Sequence, residues 1–111
     1  MEKNLQISVL LDVYGGLLTE MQKNSLDLYY NEDLSLSEIA EHENISRQGV
    51  RDSIKRGEAE LIRLEQALGL YEKQNGCDKK LSAALSLLET APEFDTKQEI
   101  ADILSEIKNN L

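Results

Sequence analysis

Apolar residues recur along this chain at steps of three and four, with polar residues between them, a spacing that predicts helices throughout. Ile7, Leu10, Leu11 and Tyr14 form one such stripe over residues 4–14, widened by Val9 and Val13. Gly15-Gly16 follows and is expected to stop that helix, because glycine supplies a left-handed cap. A second helix is expected from Thr19 to about Asn31, where Leu26, Leu28, Tyr29 and Tyr30 give apolar surface on more than one side. Its tyrosines are expected to pack with their hydroxyls at the surface rather than to stack on bases. The longest stripe is Val50, Ile54, Leu61, Leu64, Leu68 and Tyr71, with Gly57 in the same register. Beyond it, Leu81, Ala84, Leu85 and Leu88 mark a further helix, which Ala91-Pro92 is expected to end. Ile100, Ile103, Leu104, Ile107 and Leu111 mark the last, and Phe94 is expected to plug the junction between the two.

Start signals place these helices. Thr19 with Gln22, Ser35 with Glu38 and Thr96 with Glu99 each have the spacing of a capping box. Ser46 is a further cap. Leu34 with Ile39, and Ile45 with Val50, are placed to close as hydrophobic staples. Between Ser35 and Ser46 lies Glu43-Asn44, and Asn tolerates the left-handed conformation of a sharp inter-helix turn. Residues 34–70 therefore read as a helix-turn-helix, with Ile39 and Ala40 facing Val50 and Ile54. Gln48, Arg51, Asp52 and Lys55 point outward, with Arg56 and Arg63 on the opposite flank. A polar, partly basic outer face at the start of the second helix suits a reader of the major groove. Any solvated helix face would show the same composition.

Residues 17–61 resemble region four of bacterial sigma factors, with its L-T-x-x-Q, L-S-x-x-E-I-A and I-S elements followed by a basic helix. The chain is more similar still to the YlxM-like proteins of Gram-positive bacteria. That likeness is carried by Tyr14-Gly15, Leu17–Glu20, Gln22, Leu28–Tyr30, Glu32–Leu36, Glu38–Glu41 and Ile45–Gln48. Three positions depart from the usual pattern: Glu43 where an aliphatic residue is normally buried, Asn44 where Gly is common, and Arg51 where Tyr is frequent. The resemblance implies an all-α helix-turn-helix domain, sigma region four-like and without a wing. It also implies regulation of transcription through DNA, or an accessory role in the signal recognition particle pathway, beside whose genes the family is encoded.

Charge bears on that expectation. The chain has a net charge of −9, and phosphates repel acidic surfaces. The bases are nevertheless concentrated, since residues 35–64 hold five of the twelve Lys and Arg residues and are close to neutral. On a DNA-binding reading Gln48, Arg51, Asp52 and Lys55 face base edges, while Arg47, Arg56 and Lys23 hold phosphates. One histidine, His42, and one cysteine, Cys77, offer no catalytic triad and no Cys-based metal site. Neither an enzyme nor a bound cofactor is expected. No apolar run approaches 18 residues, so no membrane insertion is expected and a cytoplasmic location is.

The expected organisation is a helix-turn-helix domain over residues 1–73, a linker at 74–78 marked by Asn75-Gly76, and a two-helix C-terminal extension over 79–111. Two short amphipathic helices cannot bury their faces on each other alone. Packing on the first domain or formation of a homodimer would cover them. The expected partners are accordingly DNA, signal recognition particle RNA or protein, and a second copy of the chain.

Overall fold

The long stripe beginning at Val50 becomes the axis of the first half of the molecule. In a computed structural model that describes residues 2–111, the helices are α1 Lys3–Tyr14, α2 Glu20–Leu26, α3 Leu36–Glu43, α4 Arg47–Leu68, α5 Leu70–Thr90 and α6 Lys97–Asn109. A 3₁₀ turn, Gly15–Leu17, follows α1, and a π turn, Asp27–Asn31, extends α2. No strand occurs among the described residues, as expected of a wingless all-α fold. Two compact units are present, one ending at Tyr71 and the other Glu72–Leu111.

In the first unit α1, α2 and α3 all pack on α4. The core is Ile7, Leu10, Leu11 and Tyr14 from α1, Leu26 from α2, Ile39 and Ala40 from α3, and Val50, Ile54, Leu61 and Leu64 from α4. These are the apolar positions that helical spacing selects. Leu68 departs from that reading and stands 46% exposed. It occupies the last turn of α4, which Gly69 ends in the left-handed region at φ 62°. Where α2 crosses α4, Gly57 lets the helices approach, since a Cβ there would lie 2.7 Å from Leu26 Cδ1.

Local chemistry sets the ends of these elements. Thr19 and Ser35 both close full capping boxes. Asn44 adopts the left-handed conformation, φ 56°, as expected for the turn between α3 and α4. Ser46 Oγ accepts from Gly49 N–H at 3.0 Å and starts α4. Gly15 departs from expectation: it is right-handed, φ −53°, and leads into the 3₁₀ turn. Its N–H reaches Leu11 O and Leu18 N–H reaches Gly15 O, so the end of α1 is satisfied without a left-handed residue. At the end of α2 the backbone slips into π hydrogen bonding, with Glu32 N–H on Asp27 O at 3.2 Å. Asp33, φ 56°, then turns the chain toward α3.

In the second unit, residues 74–78 are helical, part of α5, where a linker was expected. One glycine costs a helix about 1 kcal/mol, too little to break it when no proline follows. Thr96 does not cap α6, because Lys97 N–H bonds Phe94 O at 3.1 Å. That tight turn leaves Thr96 at φ −102°, ψ 8°, away from the extended geometry a cap requires. Phe94 is 43% exposed and so does not plug the junction. Lys97 Nζ closes it instead, donating to Ala91 O at 2.7 Å and to Glu93 Oε1 at 3.1 Å. The helix α6 runs back antiparallel to α5, which brings Lys108 Nζ 4.0 Å from Asp78 Oδ1. No side chain of α5 or α6 is buried.

Candidate nucleic-acid interface

Packing of Val50, Ile54, Gly57, Leu61 and Leu64 into the core turns the other side of α4 to solvent. Arg47, Gln48, Arg51, Asp52, Lys55 and Arg56 are all exposed there. Gln48 Nε2 donates to Asp52 Oδ1 at 3.0 Å, so these two polar groups partly satisfy each other. Among the described residues no ion pair or hydrogen bond engages the side chains of Arg47, Arg51, Lys55 or Arg56. Four cations without an anion partner therefore lie within the first ten residues of α4.

Two clefts divide these groups. The first, of about 680 Å³, lies between the N-termini of α3 and α4 and is lined by Ser35, Leu36 and Ser37 opposite Arg47, Gln48 and Arg51. The second, of about 350 Å³, takes Arg51 and Lys55 on its rim and includes Tyr29 and Tyr30 of the π turn. Arg51 stands between the two. Asp52 and Arg56 line neither. Arg56 lies about 140° around the helix from Arg51, so the six expected contact residues do not form a single patch. Lys23 is farther away, in a polar recess with Asp12, Asn24, Asp27 and Asn31.

The hydroxyls of Tyr14 and Tyr30 make internal contacts, where helical spacing predicts tyrosine hydroxyls at the surface. Tyr30 Oη donates to Glu58 Oε1, and Lys3 Nζ lies 3.3 Å from Glu58 Oε2. Burial and the adjacent Glu58 carboxylate raise the pKa of Tyr30 above the ordinary phenol value. Tyr14 Oη donates to Glu65 Oε1 at 2.6 Å and accepts from Leu70 N–H at 3.0 Å, while Tyr71 N–H reaches the same carboxylate oxygen at 3.1 Å. The first amides of α5 are thus satisfied by Tyr14, distant in sequence, and by Glu65 from the end of α4. A four- or three-residue spacing cannot signal such a contact.

Glu43, the acidic residue at a position usually aliphatic, is largely covered, its side chain 15% exposed and 3.8 Å from His42 Nδ1. No group of His, Cys, Asp and Glu residues able to hold a metal occurs among the described residues. No helix there is long and apolar enough to cross a membrane.

Comparison with known proteins adds kinship to this geometry. Residues 1–103 match the family described as "Putative helix-turn-helix protein, YlxM / p13 like". A UPF0122 protein of Clostridium kluyveri is 44% identical over 109 residues, covering 98% of this chain and 95% of the relative. A UPF0122 protein of Acetivibrio thermocellus is 60% identical over 73 residues, covering 66% of this chain and 62% of that protein. One from Clostridium perfringens is 44% identical over 112 residues, covering 98% and 99%. With the helix-turn-helix of α3 and α4 in place and the match running through α5 into α6, the chain belongs to the UPF0122 family of YlxM / p13-like helix-turn-helix proteins.

Proposed function

We propose that the chain is a cytoplasmic DNA-binding regulatory protein that lays the N-terminal half of α4 in the major groove. The observation that carries this is the set of cations Arg47, Arg51, Lys55 and Arg56, exposed and without anion partners among the described residues, on the second helix of a helix-turn-helix. Phosphate attraction needs such groups, and a chain of net charge −9 concentrates them here. Arg51 and Lys55 approach base edges together with Gln48 and Asp52, while Arg47 and Arg56 hold phosphates on either flank. Action in the signal recognition particle pathway, through its RNA or protein, is the second reading; the acidity of the rest of the chain favours a basic protein over RNA within it, since RNA phosphates repel acidic surfaces as DNA phosphates do.

A low-salt titration decides between them, with duplex DNA in one arm and signal recognition particle RNA and protein in the others. On the DNA reading, Arg51→Ala and Lys55→Ala weaken duplex binding without unfolding the protein, because neither side chain enters the core. Each lost phosphate contact flattens the log–log salt dependence by about one unit, whereas a lost base contact costs about 1–3 kcal/mol and relaxes sequence preference. Binding to RNA or protein with no duplex binding at low salt would overturn the first reading in favour of the second.

A further inference from the structure

The second cleft is built differently from a groove-reading surface. Its α4 wall is Arg51, Ile54, Lys55 and Glu58, spaced so that all four share one helix face. Opposite stands the π turn of α2 with Tyr29 and Tyr30. π turns recur at functional sites, because the extra residue re-aims the side chains that follow. The Tyr30 hydroxyl is fixed on Glu58. Tyr29 packs edge-on against Tyr30, with centroids 5.1 Å apart and rings at 85°, yet remains 39% exposed at the cleft. Lys3 also engages Glu58 at 3.3 Å. The one acid in the cleft is therefore compensated, and the two rim cations Arg51 and Lys55 have no anion partner among the described residues.

An ordered aromatic ring, an apolar floor and two uncommitted cations, in about 350 Å³, suit a ligand that is planar and apolar on one side and anionic on the other. We propose that this cleft receives one unpaired nucleotide, with its base on Tyr29 and its phosphate on Arg51 and Lys55. A paired base shows a groove only its edge, whereas an unpaired base in a loop, bulge or single strand can offer its face to an aromatic ring. The inference shares Arg51 and Lys55 with the proposed duplex contact but does not rest on it, and Tyr29 separates the two.

The test uses the full chain at low salt. Four labelled probes are titrated by fluorescence anisotropy: an RNA hairpin with an open loop, a single-stranded RNA, a single-stranded DNA and a DNA duplex. A 2-aminopurine in each unpaired segment reports stacking. Tyr29→Ala is expected to weaken binding of the unpaired probes about tenfold, the range of a lost base–aromatic stack, and to abolish 2-aminopurine quenching. Tyr29→Phe retains both, and duplex affinity stays within about twofold for either variant. If Tyr29→Ala melts early, Tyr29→Leu keeps the packing volume and removes the aromatic face, with the same losses expected. Stronger binding of single-stranded RNA than of single-stranded DNA supports the proposal and adds the 2′-hydroxyl to what is read. Equal affinity supports it with base and phosphate alone. No binding of unpaired probes, unpaired binding indifferent to Tyr29, or an equal loss on the duplex overturns it. A protein that binds unpaired strands through Tyr29 but no duplex would overturn the groove reading and leave the cleft.

Discussion

Gly57 is the point at which a single missing side chain sets the spacing of two helices. A Cβ placed there meets Leu26 Cδ1 at 2.7 Å, Leu26 Cγ at 3.3 Å and Gln22 Cβ at 3.4 Å. Leu26 is fully buried and has no room to swing aside. Alanine would favour the helix by about 1 kcal/mol, but overpacking a closed core costs about 1–3 kcal/mol. Gly57→Ala is therefore expected to destabilise the protein, by about 1 kcal/mol in chemical denaturation. Gly76 supplies the opposite case within the same chain. It lies inside α5, and a Cβ there meets nothing within 4 Å. Gly76→Ala is expected to stabilise α5 by up to about 1 kcal/mol and to raise helix content. Equal signs for the two substitutions would sink the account of Gly57 as a packing residue.

At the scale of elements, the first turn of α5 depends on Tyr14 and Glu65 rather than on a neighbouring cap. Burial, with the Glu65 carboxylate alongside, raises the Tyr14 pKa from its ordinary 10.0, and Tyr30 is raised by burial and Glu58. A phenol whose pKa is higher folded than unfolded adds stability that is present in full below about pH 10 and lost as pH rises through the folded value. Melting temperature should thus fall above pH 10, and Tyr14→Phe together with Tyr30→Phe should flatten that fall while lowering stability at pH 7. A melting curve with the same alkaline slope in both proteins would count against these contacts. Capping boxes at Thr19 and Ser35, the Asn44 turn and the core stripes are local and periodic, so sequence spacing carries them. The candidate contact face was legible as the outward side of α4, because its inward side was. The π turn, the helical run through residues 74–78 and the Tyr–Glu pairs depend on partners more than twenty residues away or on the balance of several weak preferences. Thr96 had the letters of a capping box, but the preceding turn took the backbone it needed.

For the molecule as a whole, the second unit leaves apolar side chains at its surface. It is a 40-residue helical pair, Glu72–Leu111, in which neither helix has a buried side chain. Ile100, Ile103 and Ile107 are 38%, 52% and 47% exposed and fall on one stripe of α6, and Leu111, 43% exposed, follows its end. A chain segment of about 40 residues rarely holds a fold of its own without a disulfide, metal or oligomer, and its one cysteine, Cys77, is free and exposed. We propose a second copy as the cover, because identical α6 stripes can pair about a two-fold axis and helix-turn-helix proteins commonly present two recognition helices to two half-sites. Light scattering at tens of micromolar should then report a dimer. Ile103→Glu combined with Ile107→Glu removes four isoleucines from a two-fold interface. At about 1.5–3 kcal/mol for each fully buried side chain, and less for partial burial, the dissociation constant should rise at least about a hundredfold. The first unit should keep its helicity, since neither residue belongs to its core. A wild-type particle of monomeric mass at that concentration, or a double variant that remains dimeric, would remove α6 as the dimer surface.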